Sequence, residues 1–208
     1  MGTTELPAPI TALLDRTFGH PEGILGRFGG AIMARGNGAT EEHVVNVAVL
    51  AATDTVLVVG PGPGVGLRAA AERARLTIGV DPSDDMLRAC RQRCAGLGQR
   101  LRLRRGSAER TGADDASFDV VLTVNNVQIW DDRASGFAEL CRVLRPGGRL
   151  LLSTHEKWLP VPRHDLAAEV GAAGFIDVQS WTWDPPGRMT ARACQLRARK
   201  PSHGIEHA

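Results

Sequence analysis

Apolar runs alternating with helical segments predict an open α/β sheet whose ligand sits beyond the carboxyl ends of its strands. Three observations carry that prediction. The run Val56-Leu57-Val58-Val59 has no polar alternate, as in a strand buried on both faces of a parallel sheet. Glycines at 60, 62, 64 and 66 follow at once and an alanine-rich segment comes next. Glycines let the backbone turn sharply and approach a ligand, and a new helix offers N–H groups at its start. Strands and helices then keep alternating downstream, the arrangement whose ligands lie at the carboxyl ends of the strands.

Taken in order, residues 1–8 read as a frayed end, and Ile10 to Phe18 as a short amphipathic helix. The glycine-dense stretch from His20 to Asn37 reads as a loop, the natural lid of a site. Glu41 to Leu50 has helical spacing in Val44, Val45, Ala48 and Val49, with acids in its first turn, where the helix dipole favours them. These residues make an N-terminal helical and loop segment over 1–48, before a ligand-binding domain over 49–200 and a disordered tail over 201–208. Within the domain, Arg68 to Arg75 predicts a helix, Leu76 to Val80 a strand ending at Asp81, and Pro82-Ser83-Asp84-Asp85 the start of a helix through Cys94. Strict alternation in Arg100-Leu101-Arg102-Leu103-Arg104 predicts a half-exposed strand, its charges suited to a sheet edge. Phe118 to Val124 is a further buried strand. Phe137 to Leu144 is a helix stopped by Pro146-Gly147-Gly148, and Arg149 to Thr154 a strand ending at His155. Leu166 to Ala173 is a helix closed by Gly174. Phe175 to Trp183 and Ala193 to Lys200 form a final strand pair joined through Pro185-Pro186-Gly187.

A chain of 208 residues that is 43% apolar suffices for one domain with a proper core. Twenty-five basic against 23 acidic side chains leave a net charge of +2, which gives no strong field toward nucleic acid or acidic lipid. No apolar run is long enough to span a bilayer and the first residues lack the form of a signal peptide. Four scattered cysteines point to a reducing, cytoplasmic setting.

The glycine turn misses the dinucleotide fingerprint. Counted from Gly60 the third glycine falls on Val65, and counted from Gly62 it falls on Leu67. Six pieces instead arrive in one order: Val-Leu-x-x-Gly-x-Gly-x-Gly at 56–64, Gly79-Val80-Asp81-Pro82-Ser83-x-x-Met86-Leu87, Gly106-Ser107-Ala108-Glu109, Ala116-Ser117-Phe118-Asp119-Val120-Val121, Leu140-x-Arg142-Val143-Leu144-Arg145-Pro146-Gly147-Gly148, and Ala173-Gly174-Phe175. In these the chain resembles the class I S-adenosylmethionine-dependent methyltransferases, especially the small bacterial ones similar to ubiquinone- and menaquinone-biosynthesis C-methylases. The resemblance spans about Val45 to Arg199. It implies a Rossmann-like open sheet, mostly parallel with its last strand antiparallel, and S-adenosyl-L-methionine as cofactor with S-adenosyl-L-homocysteine as product.

By position, the resemblance implies that Gly60, Pro61, Gly62 and Gly64 pass under the cofactor's methionine part. It also implies that Asp81 binds the ribose hydroxyls, with Pro82 against the adenine. Ser107, Ala108 and Glu109 would read the adenine edge, and Asn125 would face the methionine end and the substrate. Two positions depart from the family, which usually has an acid where Val58 stands and often Asp where Ser107 stands. An acid from the N-terminal segment, or Glu109, is a candidate substitute.

Methyl transfer needs an in-line nucleophile at attack distance, and a base only where the acceptor must lose a proton. His155, at a strand's carboxyl end, is the candidate base; the alternative is a partly exposed histidine with no role. Trp130 and Trp158 lie just past strand ends and are candidates to wall an apolar substrate, or simple rim packing. Cys90 and Cys94 stand i,i+4 on a helix without a second ligand pair, which reads as a packed face rather than a metal site. The arginines at 88, 91, 93, 100, 102, 104 and 105 lack interleaved aromatics and read as a solvated face, not a nucleic-acid surface. The expectation is a methyltransferase, monomeric or homodimeric, acting at carbon or oxygen of a small apolar or aromatic metabolite. The alternative is a non-catalytic or repurposed member of the fold that binds the cofactor weakly or takes another ligand.

Overall fold

The computed structural model describes residues 37–186 and 191–202. The expected helix Ile10 to Phe18, nearly all of the expected lid and most of the tail lie outside these residues. Seven strands form one sheet in the order β3-β2-β1-β4-β5-β7-β6. The strands are β1 (Thr55–Val59), β2 (Leu76–Asp81), β3 (Leu101–Arg105), β4 (Phe118–Val124), β5 (Leu144–His155), β6 (Ile176–Trp183) and β7 (Ala193–Arg199). β1 to β5 pair in parallel, whereas β7 runs antiparallel to both β5 and β6. The expected open, mostly parallel sheet is therefore present, with the reversed strand β7 inserted between β5 and the edge strand β6.

Helices cover both faces. α1 (residues 37–48), α2 (Val65–Ala71) and α3 (Asp84–Arg93) pack on one, α4 (Arg133–Val143) and α5 (Arg163–Ala172) on the other. Every residue of β1 is buried, and its side chains divide between two cores. Val56 and Val58 join Val44, Val45, Leu67 and Leu122, while Leu57 and Val59 join Phe118, Phe137, Leu140 and Leu152. The unbroken apolar run is thus explained by helices on both sides. β3 lies at the edge with Arg102, Arg104 and Arg105 exposed, as its alternation required.

Several element boundaries differ from expectation; α4, for one, begins at Arg133 rather than Phe137. α1 begins by residue 37 and ends at 48, because Val49 takes a left-handed φ of 47° and reverses the chain. α2 ends at Ala71 rather than at Arg75; Arg75 instead leaves the helix to hold Thr53 O and Thr55 Oγ1. Pro146-Gly147-Gly148 does not separate a helix from a strand. It is a bulge inside β5, where pairing with β4 jumps from Phe118↔Leu144 to Val120↔Arg149. Gly147, at φ 77°, donates to Lys200 O at 3.0 Å, and a Cβ on Gly148 would meet Arg145 O at 2.8 Å. Asp119 fastens the same corner, its Oδ2 accepting from Thr55 N at 2.7 Å and Arg145 Nη1 at 2.6 Å. Burial raises the affinity of Asp119 for a proton, but Arg145 and the Thr55 N–H outweigh it and hold the carboxyl below its ordinary range.

Candidate active site

The carboxyl ends of β1, β2 and β4 open into one cleft, as the sheet's topology requires at the point where strand order reverses between β1 and β4. Gly60 and Gly62 lie under it, Asp81 and Pro82 at one side, and Ser107, Ala108 and Glu109 on the lip that follows β3. Asn125 and Trp130 come from the segment after β4, and Asn37 and Glu41 from α1. Met86, Val124 and Ile129 make the rest of the wall largely apolar.

The glycine turn is clamped from three sides. From the segment after β4, Asn126 donates through Nδ2 to Val59 O at 2.7 Å, and its Oδ1 accepts from Trp130 Nε1 at 3.0 Å. Gly60 has φ 59°, and a Cβ there would stand 2.3 Å from Asn126 Nδ2, so both conformation and space demand glycine. From below, α3 presents Cys90 Sγ to Gly62 O at 3.1 Å and Arg93 Nε to Pro63 O at 2.8 Å. The cysteine pair is therefore a packed face against the turn, and burial raises both thiols above their ordinary range. From α1, Glu41 Oε2 accepts from Gly66 N at 2.6 Å. That contact takes one of the N–H groups at the start of α2, the Gly66 N–H, which the sequence left free.

Asp81 is 6% exposed at the end of β2, with Oδ1 accepting from Ser83 N at 2.9 Å. Ser83 in turn caps α3, its Oγ accepting from Met86 N, so the acid rests on a fixed helix start. Trp130 sits edge-on to Phe137 at 5.2 Å, and its indole lies over Gly136, where a Cβ would come within 2.7 Å of Cε3.

The predicted residues do not all meet in the cleft. Gly60, Gly62, Asp81, Pro82, Ser107, Ala108, Glu109, Asn125 and Trp130 line it. Pro61 faces a narrower crevice beside Val58 and Glu41, and Gly64 packs on Cys90. His155 stands behind the wall and is buried, at 5% exposure, rather than partly exposed. Its backbone N–H donates to Asn125 Oδ1 at 2.9 Å, and Nε2 lies 3.0 Å from Asn37 Oδ1 and 3.4 Å from Asn125 Nδ2. Nδ1 is 3.3 Å from Ala191 O, so each ring nitrogen faces a carbonyl or amide oxygen. Burial, with Lys157 nearby, lowers the ring's proton affinity despite the Ala191 contact. Trp158 packs edge-on to His155 at 4.7 Å and is 41% exposed, away from the cleft. Asn126 and Gly136 are site residues that sequence reasoning missed, and Glu41 is one of the N-terminal acids it left open without choosing between them. Asn126 adjoins Asn125 and was legible only as its neighbour, while Glu41 had only its place in a helix's first turn.

Comparison with known proteins agrees with this geometry. The family model described as "Methyltransferase domain" matches residues 57–152. The chain is 31% identical over 159 residues to the uncharacterized methyltransferase YdaC of Bacillus subtilis (strain 168), covering 72% of this chain and 86% of that one. It is 38% identical over 125 residues to the uncharacterized methyltransferase Rv3342 of Mycobacterium tuberculosis, covering 59% of this chain but 49% of that longer protein. In fold it resembles the Haemonchus contortus phospholethanolamine N-methyltransferase 2, solved with phosphomonomethylethanolamine and S-adenosylhomocysteine. The TM-score is 0.73 at 18% identity, over 90% of this chain and 59% of that one. With the glycine turn, the acid ending β2 and the cleft between them, these likenesses place the chain in the class I S-adenosylmethionine-dependent methyltransferase family.

Proposed function

We propose that this protein transfers a methyl group from S-adenosylmethionine to carbon or oxygen of a small apolar or aromatic metabolite in the cytoplasm. The observation that carries the reading is the cleft itself: a buried carboxylate at the end of β2, an open glycine turn under it, and an apolar wall of Met86, Val124, Ile129 and Trp130. The residues fit the cofactor. Asp81 offers carboxylate oxygens to the ribose hydroxyls, with Pro82 and the Ser107–Glu109 lip beside the adenine. A Cβ at Gly62 would meet nothing within 4 Å, which leaves room above the turn. When bound, the cofactor supplies a methyl group already activated on a sulfonium.

The protein's part is to hold the acceptor in line and exclude water, and positioning alone can supply roughly 7–11 kcal/mol. Asn125 and Trp130 are the groups that face the acceptor. His155 acts through Asn125: it fixes that amide rather than touching the acceptor. Residues 49–200 are proposed as the cofactor-binding domain and residues 1–48 as a separate N-terminal segment. Four free cysteines support the cytoplasmic setting.

Calorimetric titration with S-adenosylmethionine and S-adenosylhomocysteine tests the reading. Micromolar binding is expected, and Asp81→Ala should weaken it by about tenfold or more through loss of charge-assisted hydrogen bonds. Failure of the wild-type protein to bind either compound would overturn the assignment.

A further inference from the structure

Glu41 is the one acidic side chain that α1 sends into the cleft. It is 8% exposed and lies beside Asn37, Gly60 and Gly62. It also lines the crevice next to Val58, where the end of β1 contributes no charge. One oxygen takes the Gly66 N–H at 2.6 Å, an approach that needs glycine, since a Cβ on Gly66 would stand 3.0 Å from Glu41 Cβ. Among the described residues no guanidinium or ammonium forms an ion pair with it; Arg93, the nearest cation to act on it, is turned to Pro63 O. A buried carboxylate without a counter-ion is costly unless something cationic completes it.

We infer that Glu41 is the carboxylate that receives the positively charged amino-acid end of S-adenosylmethionine, so that α1 is part of the cofactor site. This rests on the cofactor reading given above. The groups around Glu41 bear it out. Arg93 and Cys90 face it from α3, Gly66 from α2, and Glu42 follows it on α1, with Asp81 across the cleft from the same cysteine. In the ligand-free protein burial pushes Glu41 up to about 7, against the Gly66 hydrogen bond and Arg93, which lower it. A cation placed against the carboxylate expels the proton that it carries near neutrality. Cofactor binding is therefore coupled to proton release, and affinity strengthens as pH rises through 7 while the ligand's own amino group stays protonated.

The test compares S-adenosylhomocysteine with 5′-methylthioadenosine, which lacks the amino-acid end, on wild-type protein and on Glu41→Gln. S-adenosylhomocysteine should bind the variant about tenfold more weakly or worse. Methylthioadenosine should bind both proteins within about twofold. Titration at pH 6.5 in buffers of different ionisation enthalpy should show wild-type protein releasing up to about three-quarters of a proton, and the variant none. Wild-type binding with an unchanged variant overturns the inference alone. Equal weakening of both ligands also overturns it, by showing that Glu41 acts only through the Gly66 turn. Wild-type protein that binds neither compound overturns the cofactor reading and this inference with it. Should the variant fail to fold, wild-type binding without proton release still refutes the assignment.

Discussion

At the scale of single residues, the cleft depends on atoms that are missing as much as on those present. Gly136 exists so that Trp130 can lie flat over α4, and Gly60 so that Asn126 can reach the end of β1. Gly136→Ala should push the indole toward the cleft and weaken cofactor binding with little change in melting temperature, a split that calorimetry and thermal denaturation would separate. Glu41 makes a further prediction in the absence of ligand. Its folded value near 7 lies above the ordinary 4.5. Its contribution to stability is thus full below about pH 4.5 and lost as pH rises through 7, roughly 3 kcal/mol for a fully buried group. Urea denaturation from pH 5 to 8 should show this decline in wild-type protein and a flatter profile in Glu41→Gln. His155 has the opposite sign. As a buried ring with lowered proton affinity it stabilises the fold above its ordinary pKa, and that contribution is lost as pH falls through the lower folded value. Asp81 was legible in the sequence because a strand ends on it. The role of Asn126 was not, since one asparagine side chain bridging five groups leaves no periodic trace.

Elements show the same division. β1, β2 and β4 were plain from composition, because strands buried in the middle of a sheet are built mainly from β-branched and other apolar residues. The Pro-Gly-Gly corner misled, since its residues normally end structure and here they form a bulge held by Lys200 and Asp119. Lys200 Nζ donates to Leu144 O at 2.7 Å and its backbone pairs with Gly147 and Gly148, contacts between positions more than 50 residues apart. Local pattern carries no sign of such a partner. Asp119 is then a structural residue and not a catalytic one. Asp119→Ala removes acceptors from Thr55 N and Arg145 together and should destabilise the protein by about 1–3 kcal/mol while leaving cofactor affinity nearly intact, as denaturation and titration of the same sample would show. The bidentate pair of Arg133 with Glu169, at 2.8 and 2.7 Å, links α4 to α5 in a similar way behind the cleft wall.

For the whole molecule, the sheet's order decides what can be lost. β7 runs against both of its neighbours, yet it carries the buried residues Ala193, Cys194, Leu196 and Ala198 and pairs along its length with β5. A chain ending at residue 192 should lose cooperative unfolding in a thermal scan, although its cleft residues are all present, because β5 would then stand as a bare edge. Fold class was open to reading from the sequence because it follows from a pattern repeated along the chain. Which N-terminal acid supplies the cleft's charge was not, because Glu41 comes from α1, outside the repeated units. β1, with a strand on either side and helices above and below, also orders the molecule in time. Its amides reach solvent only when everything opens, whereas those of the outer strands β3 and β6 escape through local fraying. In deuterium, the strand that ends in the glycine turn should therefore be the last to exchange, and the lip at 106–116 among the first.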